Sequence, residues 1–153
     1  KFLDQNRLAA STNYQFNIRI IDWKARTTLQ ILSGATAQHH GLEILPNSLL
    51  ASGSRDSRLR IWNYDTGALI RTINATGELY SVKYIADKDL IAVGSTDRSV
   101  KIWNYTSGSL VHQYISHTGT VRALEYSEQH KILVSAGNRS LAFFNVTNYQ
   151  VFR

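Results

Sequence analysis

Between residues 80 and 115 apolar and polar positions change places every one or two residues. Tyr80-Ser81-Val82-Lys83-Tyr84 alternates, Leu90 to Gly94 is mostly apolar, Val100-Lys101-Ile102-Trp103 alternates apolar with basic, and Leu110 to Ile115 forms a fourth short run. A period of two in short segments predicts β-strands, and the apolar second segment predicts a strand buried on both faces. Ser95-Thr96-Asp97-Arg98 and Thr106-Ser107-Gly108 break the pattern with turn residues, Gly108 being free to take positive φ. The unit predicted is four antiparallel strands joined by tight turns, with no helical stretch.

That unit recurs. Leu50 to Asn63, LASGSRDSRLRIWN, returns as Ile91 to Asn104, IAVGSTDRSVKIWN, so that Asp56 and Asp97, and Trp62 and Trp103, stand 41 positions apart. Carried backwards, the frame lays Leu8 to Trp23 over the same pattern, with Gln15 and Ile21 at the Asp and Trp places. Carried forwards, it lays Ile132 to Asn145 there, with Asn138 and Phe144. Four copies follow, at roughly 1–32, 33–74, 75–115 and 116–153, and a repeat of this length built from four strands predicts an all-β fold, a β-propeller segment of about four blades. Phe2 aligns with Tyr84, so the first copy lacks most of its first strand. Closed propellers have about 4 to 8 blades. The expectation is therefore a section of a longer propeller, with a ring closed by a second chain as the alternative. The flanks left open are expected around Leu8, Ile18 and Ile20 and around Leu133, Leu141 and Phe143.

These residues resemble the WD-repeat (WD40) family. The carriers are Leu-Ala-Ser-Gly-Ser-x-Asp followed by Leu-Arg-Ile-Trp-Asn at 50–63, and the copy at 91–104. In that family a turn Asp, a strand Ser or Thr, the strand Trp and the His of a Gly-His pair form a hydrogen-bonded tetrad in each blade. The resemblance implies this structural role for Ser52, Asp56 and Trp62 in the second copy, Asp97 and Trp103 in the third, and His117 in the fourth. No copy keeps the full set. Gly34-Ala35 and Asn74-Ala75 stand at the Gly-His places, Val93 at a Ser place, and Trp-Asn replaces Trp-Asp. With its tetrad incomplete, Asp97→Ala is expected to cost about 1–3 kcal/mol through unpaired turn amides, against about 3–5 kcal/mol for Trp103→Ala. The resemblance also implies a non-enzymatic scaffold for protein–protein interaction, in an intracellular setting.

Composition narrows the chemistry. The 153 residues, 43% hydrophobic and 18% charged, suit one domain with a real core. No apolar run approaches the roughly 20 residues of a membrane span. The absence of cysteine excludes disulfides, thiolate zinc and thiol catalysis. His39 and His40 are adjacent, and neighbours on a strand point to opposite faces, which argues against a shared metal ion. No Ser-His-Asp set, phosphate-cradling loop or paired acid motif is visible, so neither enzyme nor cofactor is expected. Four Asn-x-Ser/Thr triplets, beginning at Asn74, Asn104, Asn138 and Asn145, read as the turn composition of a repeat rather than as glycan acceptors.

The net charge of +6 favours acidic partners. The loops between second and third strands carry Arg55, Arg58, Arg98 and Arg139, and the family's geometry brings His39, Tyr80 and Arg122 to the same rim. Such arginines either solvate exposed turns or form a basic, partly aromatic rim. The rim would dock an acidic peptide or acidic protein surface. Nucleic-acid phosphate, as in an RNA-associated module, is the alternative ligand, and recruiting substrate to a larger enzyme complex is a further one.

Overall fold

A computed structural model of the chain describes residues 1–12 and 14–152. Fifteen strands form four antiparallel sheets, each ordered as in the sequence. The first holds β1 (Arg7–Ser11), β2 (Ile18–Asp22) and β3 (Thr27–Leu32). The second holds β4 (His39–Leu45), β5 (Leu49–Ser54), β6 (Arg58–Asn63) and β7 (Leu69–Asn74). In the third are β8 (Leu79–Ile85), β9 (Leu90–Ser95), β10 (Ser99–Trp103) and β11 (Leu110–Ile115), and in the fourth β12 (Val121–Ser127), β13 (Ile132–Gly137), β14 (Ser140–Asn145) and β15 (Val151–Phe152). A 3-10 turn at Ala86–Lys88 is the sole helical element among the described residues. The first strands β4, β8 and β12 pack on one another and form the inner wall of the arc. The first sheet has only the Phe2–Leu8 bridge and the paired backbones of Lys1 and Ala9 in that place.

Three apolar clusters lie between the sheets. Trp62, Leu50 and Tyr64 pack on Ala9, Ile18, Ile20 and Leu32 of the first blade. Trp103, Ile91 and Tyr105 pack on Leu59, Ile61 and Ile73 of the second. Phe144, Leu133 and Val146 pack on Val100, Ile102 and Tyr114 of the third. The rule is directional: the Trp-position residue of the second, third and fourth blades faces the blade before it, and the residues one and three positions earlier in a blade face the blade after it. This corrects the expected flanks. Ile18, Ile20 and Leu133 are fully buried in these clusters, whereas Leu141 is 62% and Phe143 38% exposed on the open side of the fourth blade.

Strand register also departs from a gap-free repeat. Trp62 pairs with Leu50 and Trp103 with Ile91, but Phe144 pairs with Leu133, one residue late. A shortened hairpin causes the slip, with Asn138 and Arg139 alone joining Gly137 to Ser140. Consequently Ser135 in the fourth blade occupies the place of Ser52, and in the first blade Ala10, opposite Arg19, occupies it.

Candidate functional site

In the second and third blades the hairpin between second and third strand is tied down by a carboxylate and a buried cation. Asp56 accepts hydrogen bonds from Arg60 Nη2 at 2.7 Å and Nη1 at 3.1 Å, and from the Thr36 and Arg58 amides. Arg60 is 1% exposed and also donates to the Gly34 carbonyl at 3.0 Å. In the next blade Asp97 accepts from the Lys101 ammonium, the Ser99 amide and hydroxyl, and the Thr76 hydroxyl. The first blade repeats the geometry in neutral form, Arg19 Nη2 donating to Gln15 Oε1 at 3.0 Å. Burial alone would raise the Asp56 carboxyl, but Arg60 and the Thr36 amide outweigh it and hold the group at about 2. Asp97 likewise stays well below the ordinary carboxylate range despite burial, through Lys101 and Ser99. Sequence reasoning missed this cation. Its signal is the basic residue four positions after each turn Asp, in a strand otherwise apolar. Arg60 and Lys101 are found in the blades whose Gly-His place lacks a histidine.

The fourth blade takes the other route. His117 is buried, its Nε2 2.6 Å from Ser135 Oγ and its Nδ1 2.9 Å from Ser140 Oγ, and burial lowers its pKa. Ala142 stands where Arg60 and Lys101 do, so the blade with the histidine has no cation. Trp62 Nε1 donates to Ser52 Oγ at 2.8 Å, whereas Trp103 Nε1 has no partner among the described residues because Val93 fills the serine place.

Around these hairpins lie the rim residues. Arg55 pairs with Glu78 of the following blade at 3.0 Å and reaches Gln38. Arg58, Arg98, Arg122 and Arg139 are exposed and make no ion pair among the described residues. Arg98 (φ 73°) and Arg139 (φ 69°) hold the left-handed positions of their turns.

His39 is a correction. It is 3% exposed, and His40 takes the rim place instead. The reason is a β-bulge in each first strand, at His39/Gly41, Leu79/Ser81 and Val121/Ala123, which turns His40, Tyr80 and Arg122 out of the sheet's alternation. The three then stack in order across the blades. The His40 and Tyr80 rings lie 4.4 Å apart at 8°, and the Arg122 guanidinium sits 5.0 Å from the Tyr80 centroid. His40 is held below its ordinary pKa by burial and by Arg55, so the stack carries its positive charge on Arg122. His39 is pushed down to about 4 by burial and the Arg60 charge, the Asp56 charge and the Phe16 backbone offsetting only part of the shift, and neither of its ring nitrogens has a hydrogen bond of good geometry among the described residues.

No group of His, Asp and Glu able to hold a metal ion occurs among the described residues, and no helix there is long and apolar enough to cross a membrane.

An arc of antiparallel blades, three of them four-stranded and each of those three packing a third-strand aromatic on the blade before it, is part of a β-propeller. The family model described as WD domain, G-beta repeat matches residues 28–63, 67–104 and 108–145. Each match runs from the outermost strand of one blade through the third strand of the next. The chain belongs to the WD-repeat family. It is similar to a WD repeat-containing protein 89 homolog of Dictyostelium discoideum, 36% identical over 75 residues, which cover 48% of this chain and 20% of that relative. The matched stretch thus spans about a fifth of the relative's length. WD-repeat domains generally bind protein partners and are typically non-catalytic.

Proposed function

We propose that the protein is a non-enzymatic scaffold that holds an acidic segment of a partner protein against the hairpin end of its blades. The observation that carries this reading is the set Arg58, Arg98, Arg122 and Arg139, exposed and unpaired in ion bridges among the described residues, beside the His40–Tyr80–Arg122 stack. Because β4 starts where β5 ends (His39 opposite Ser54), the bulged residues and the hairpin loops share one end of each blade. Arginines offer bidentate hydrogen bonds to carboxylates, and an aromatic ladder offers a flat anchor. Arg55 is spent on Glu78 and contributes less.

The test replaces Arg58, Arg98, Arg122 and Arg139 together with Ala. Folding should change little, since surface substitutions usually fall within about 0.5 kcal/mol each. Binding of an acidic peptide, a run of Asp and Glu around one Tyr, should fall at least tenfold by fluorescence anisotropy. Unchanged binding would sink the reading. Tighter binding of single-stranded RNA than of the peptide, with a steep log-linear loss in salt, would move the assignment to nucleic acid.

A further inference from the structure

We propose that the acidic segment seats one side-chain carboxylate on Arg55 by displacing Glu78, which holds that place when no partner is bound; this rests on the reading that the rim takes an acidic segment. Of the rim arginines, Arg55 alone grips an acid among the described residues. Its Nε lies 3.0 Å from Glu78 Oε2 and its Nη2 3.2 Å from Oε1, the two-pronged grip that a guanidinium makes on a carboxylate. The Tyr80 hydroxyl donates to the same Oε2 at 3.4 Å. Tyr80 is also the middle member of the stack, so the cradle around Glu78 and the aromatic anchor share a side chain. His40 senses the same charges: burial and Arg55 lower its pKa, Glu78 raises it, and Arg122 lowers it. These groups form one neighbourhood, shaped for a carboxylate and filled from within.

Little holds the Glu78 carboxylate in place. The Arg55 and Glu78 side chains are 42% and 34% exposed, and a pair so open to water is weak because water competes for both partners. The Glu78 backbone is secured separately. Its amide donates to Thr96 Oγ1 at 2.9 Å, and its carbonyl accepts from the Thr96 amide at 3.0 Å. The carboxylate can therefore swing aside on its own side-chain torsions while β8 and the hairpin keep their places. Nor does the repeat require an acid there. The residue just before the first strand is Gln38 in the second blade, Glu78 in the third and Thr120 in the fourth. An amide and a hydroxyl serve at that place in two blades, so the acid of the third is not a demand of the fold. Arg55 also reaches Gln38 Oε1 through Nη1 at 3.3 Å, a contact that keeps it aimed when Glu78 leaves. The group that replaces Glu78 must match what it gives up: a planar anion with two oxygens.

The test is a double-mutant cycle read by fluorescence anisotropy. Its probe is the peptide of Asp and Glu around one Tyr, blocked at both ends so that side chains supply every carboxylate. Glu78→Gln should tighten binding roughly threefold to fivefold, the worth of releasing one exposed ion pair. In an Arg55→Ala background the same change should do nothing, because no grip is left to release. Glu78→Thr, which installs the residue of the fourth blade, should repeat both results and guards against a local effect of Gln. Equal gains with and without Arg55 would show that Glu78 acts only as a distant charge, and would overturn the proposal. No gain in either background overturns it as well. Either result, with binding still lost when Arg58, Arg98, Arg122 and Arg139 are replaced, removes the Glu78 displacement and leaves the scaffold reading in place. A peptide that binds neither the parent nor any variant removes both.

Discussion

Trp62 and Trp103 occupy the same place in successive blades, and among the described residues only the Trp62 indole has a hydrogen bond. Both are buried against the preceding blade. Burying roughly 200 Å² of indole at about 25 cal/mol/Å² is worth about 5 kcal/mol, while one hydrogen bond is worth about 1 kcal/mol. Packing therefore sets the junction and the serine bond refines it. What the two blades share without exception is the turn carboxylate on its buried cation. The repeat tolerates loss of a neutral bond and preserves charge pairing, because an uncompensated buried charge costs far more than an unpaired indole.

The largest effect should come from emptying these sites. Trp62→Ala and Trp103→Ala should each cost about 3–5 kcal/mol in denaturant melts, with Trp62→Ala the worse because Ser52 then also loses its partner. A larger loss at Trp103 would reverse the comparison. Next comes Asp56→Ala, at about 3–5 kcal/mol, since it strands the Arg60 guanidinium. Asp97→Ala should cost less, because a quarter of the Asp97 side chain is exposed, yet more than its turn amides alone. The expectation drawn from an incomplete tetrad is revised upward by Lys101. Asp56→Ala combined with Arg60→Met should recover most of the loss; no recovery would show that the pair is not the cause.

His39 separates the second blade from its neighbours in another way, since Leu79 and Val121 hold its place in the third and fourth. Its ring titrates near 4 when folded and near 6.5 when unfolded. The unfolded chain therefore takes up the proton first, and stability falls as pH drops from about 6.5 to about 4, by on the order of 3 kcal/mol. His39→Leu should abolish that slope and raise stability at neutral pH. Melts of the two proteins that run parallel from pH 7 to pH 4 would refute it. Smallest is Ser52→Ala, at about 1–2 kcal/mol for the orphaned Trp62 indole, measured against Val93→Ala, which touches no hydrogen bond.

Strand periodicity and the 41-residue spacing were sufficient to read the blades, because both are local properties of side-chain order. Residues whose place depends on register were not readable. One deleted turn residue moves Ser135 into the serine place, and one extra strand residue exchanges His39 for His40, although neither change alters the hydrophobic pattern around it. The Arg60 and Lys101 pairs were legible in principle, as a cation four residues after Asp, but alternation alone assigns such residues to solvent. Their burial follows from the side facing the preceding blade, where the segment entering the sheet brings Gly34 to Arg60 and Thr76 to the Asp97 that Lys101 pairs, a long-range fact absent from any single strand.

The bulge has a consequence for how such a surface changes over time. A side chain displaced from the pleat has no assigned neighbour in the core, so its identity is released from the constraints that fix the rest of the strand. The three bulge positions hold an imidazole, a phenol and a guanidinium, whereas the residues just before them, His39, Leu79 and Val121, are all buried. Each first strand thus offers an interchangeable socket beside a fixed wall. Substitution at 40, 80 or 122 can change the chemistry of this surface without reopening the question of whether the chain folds.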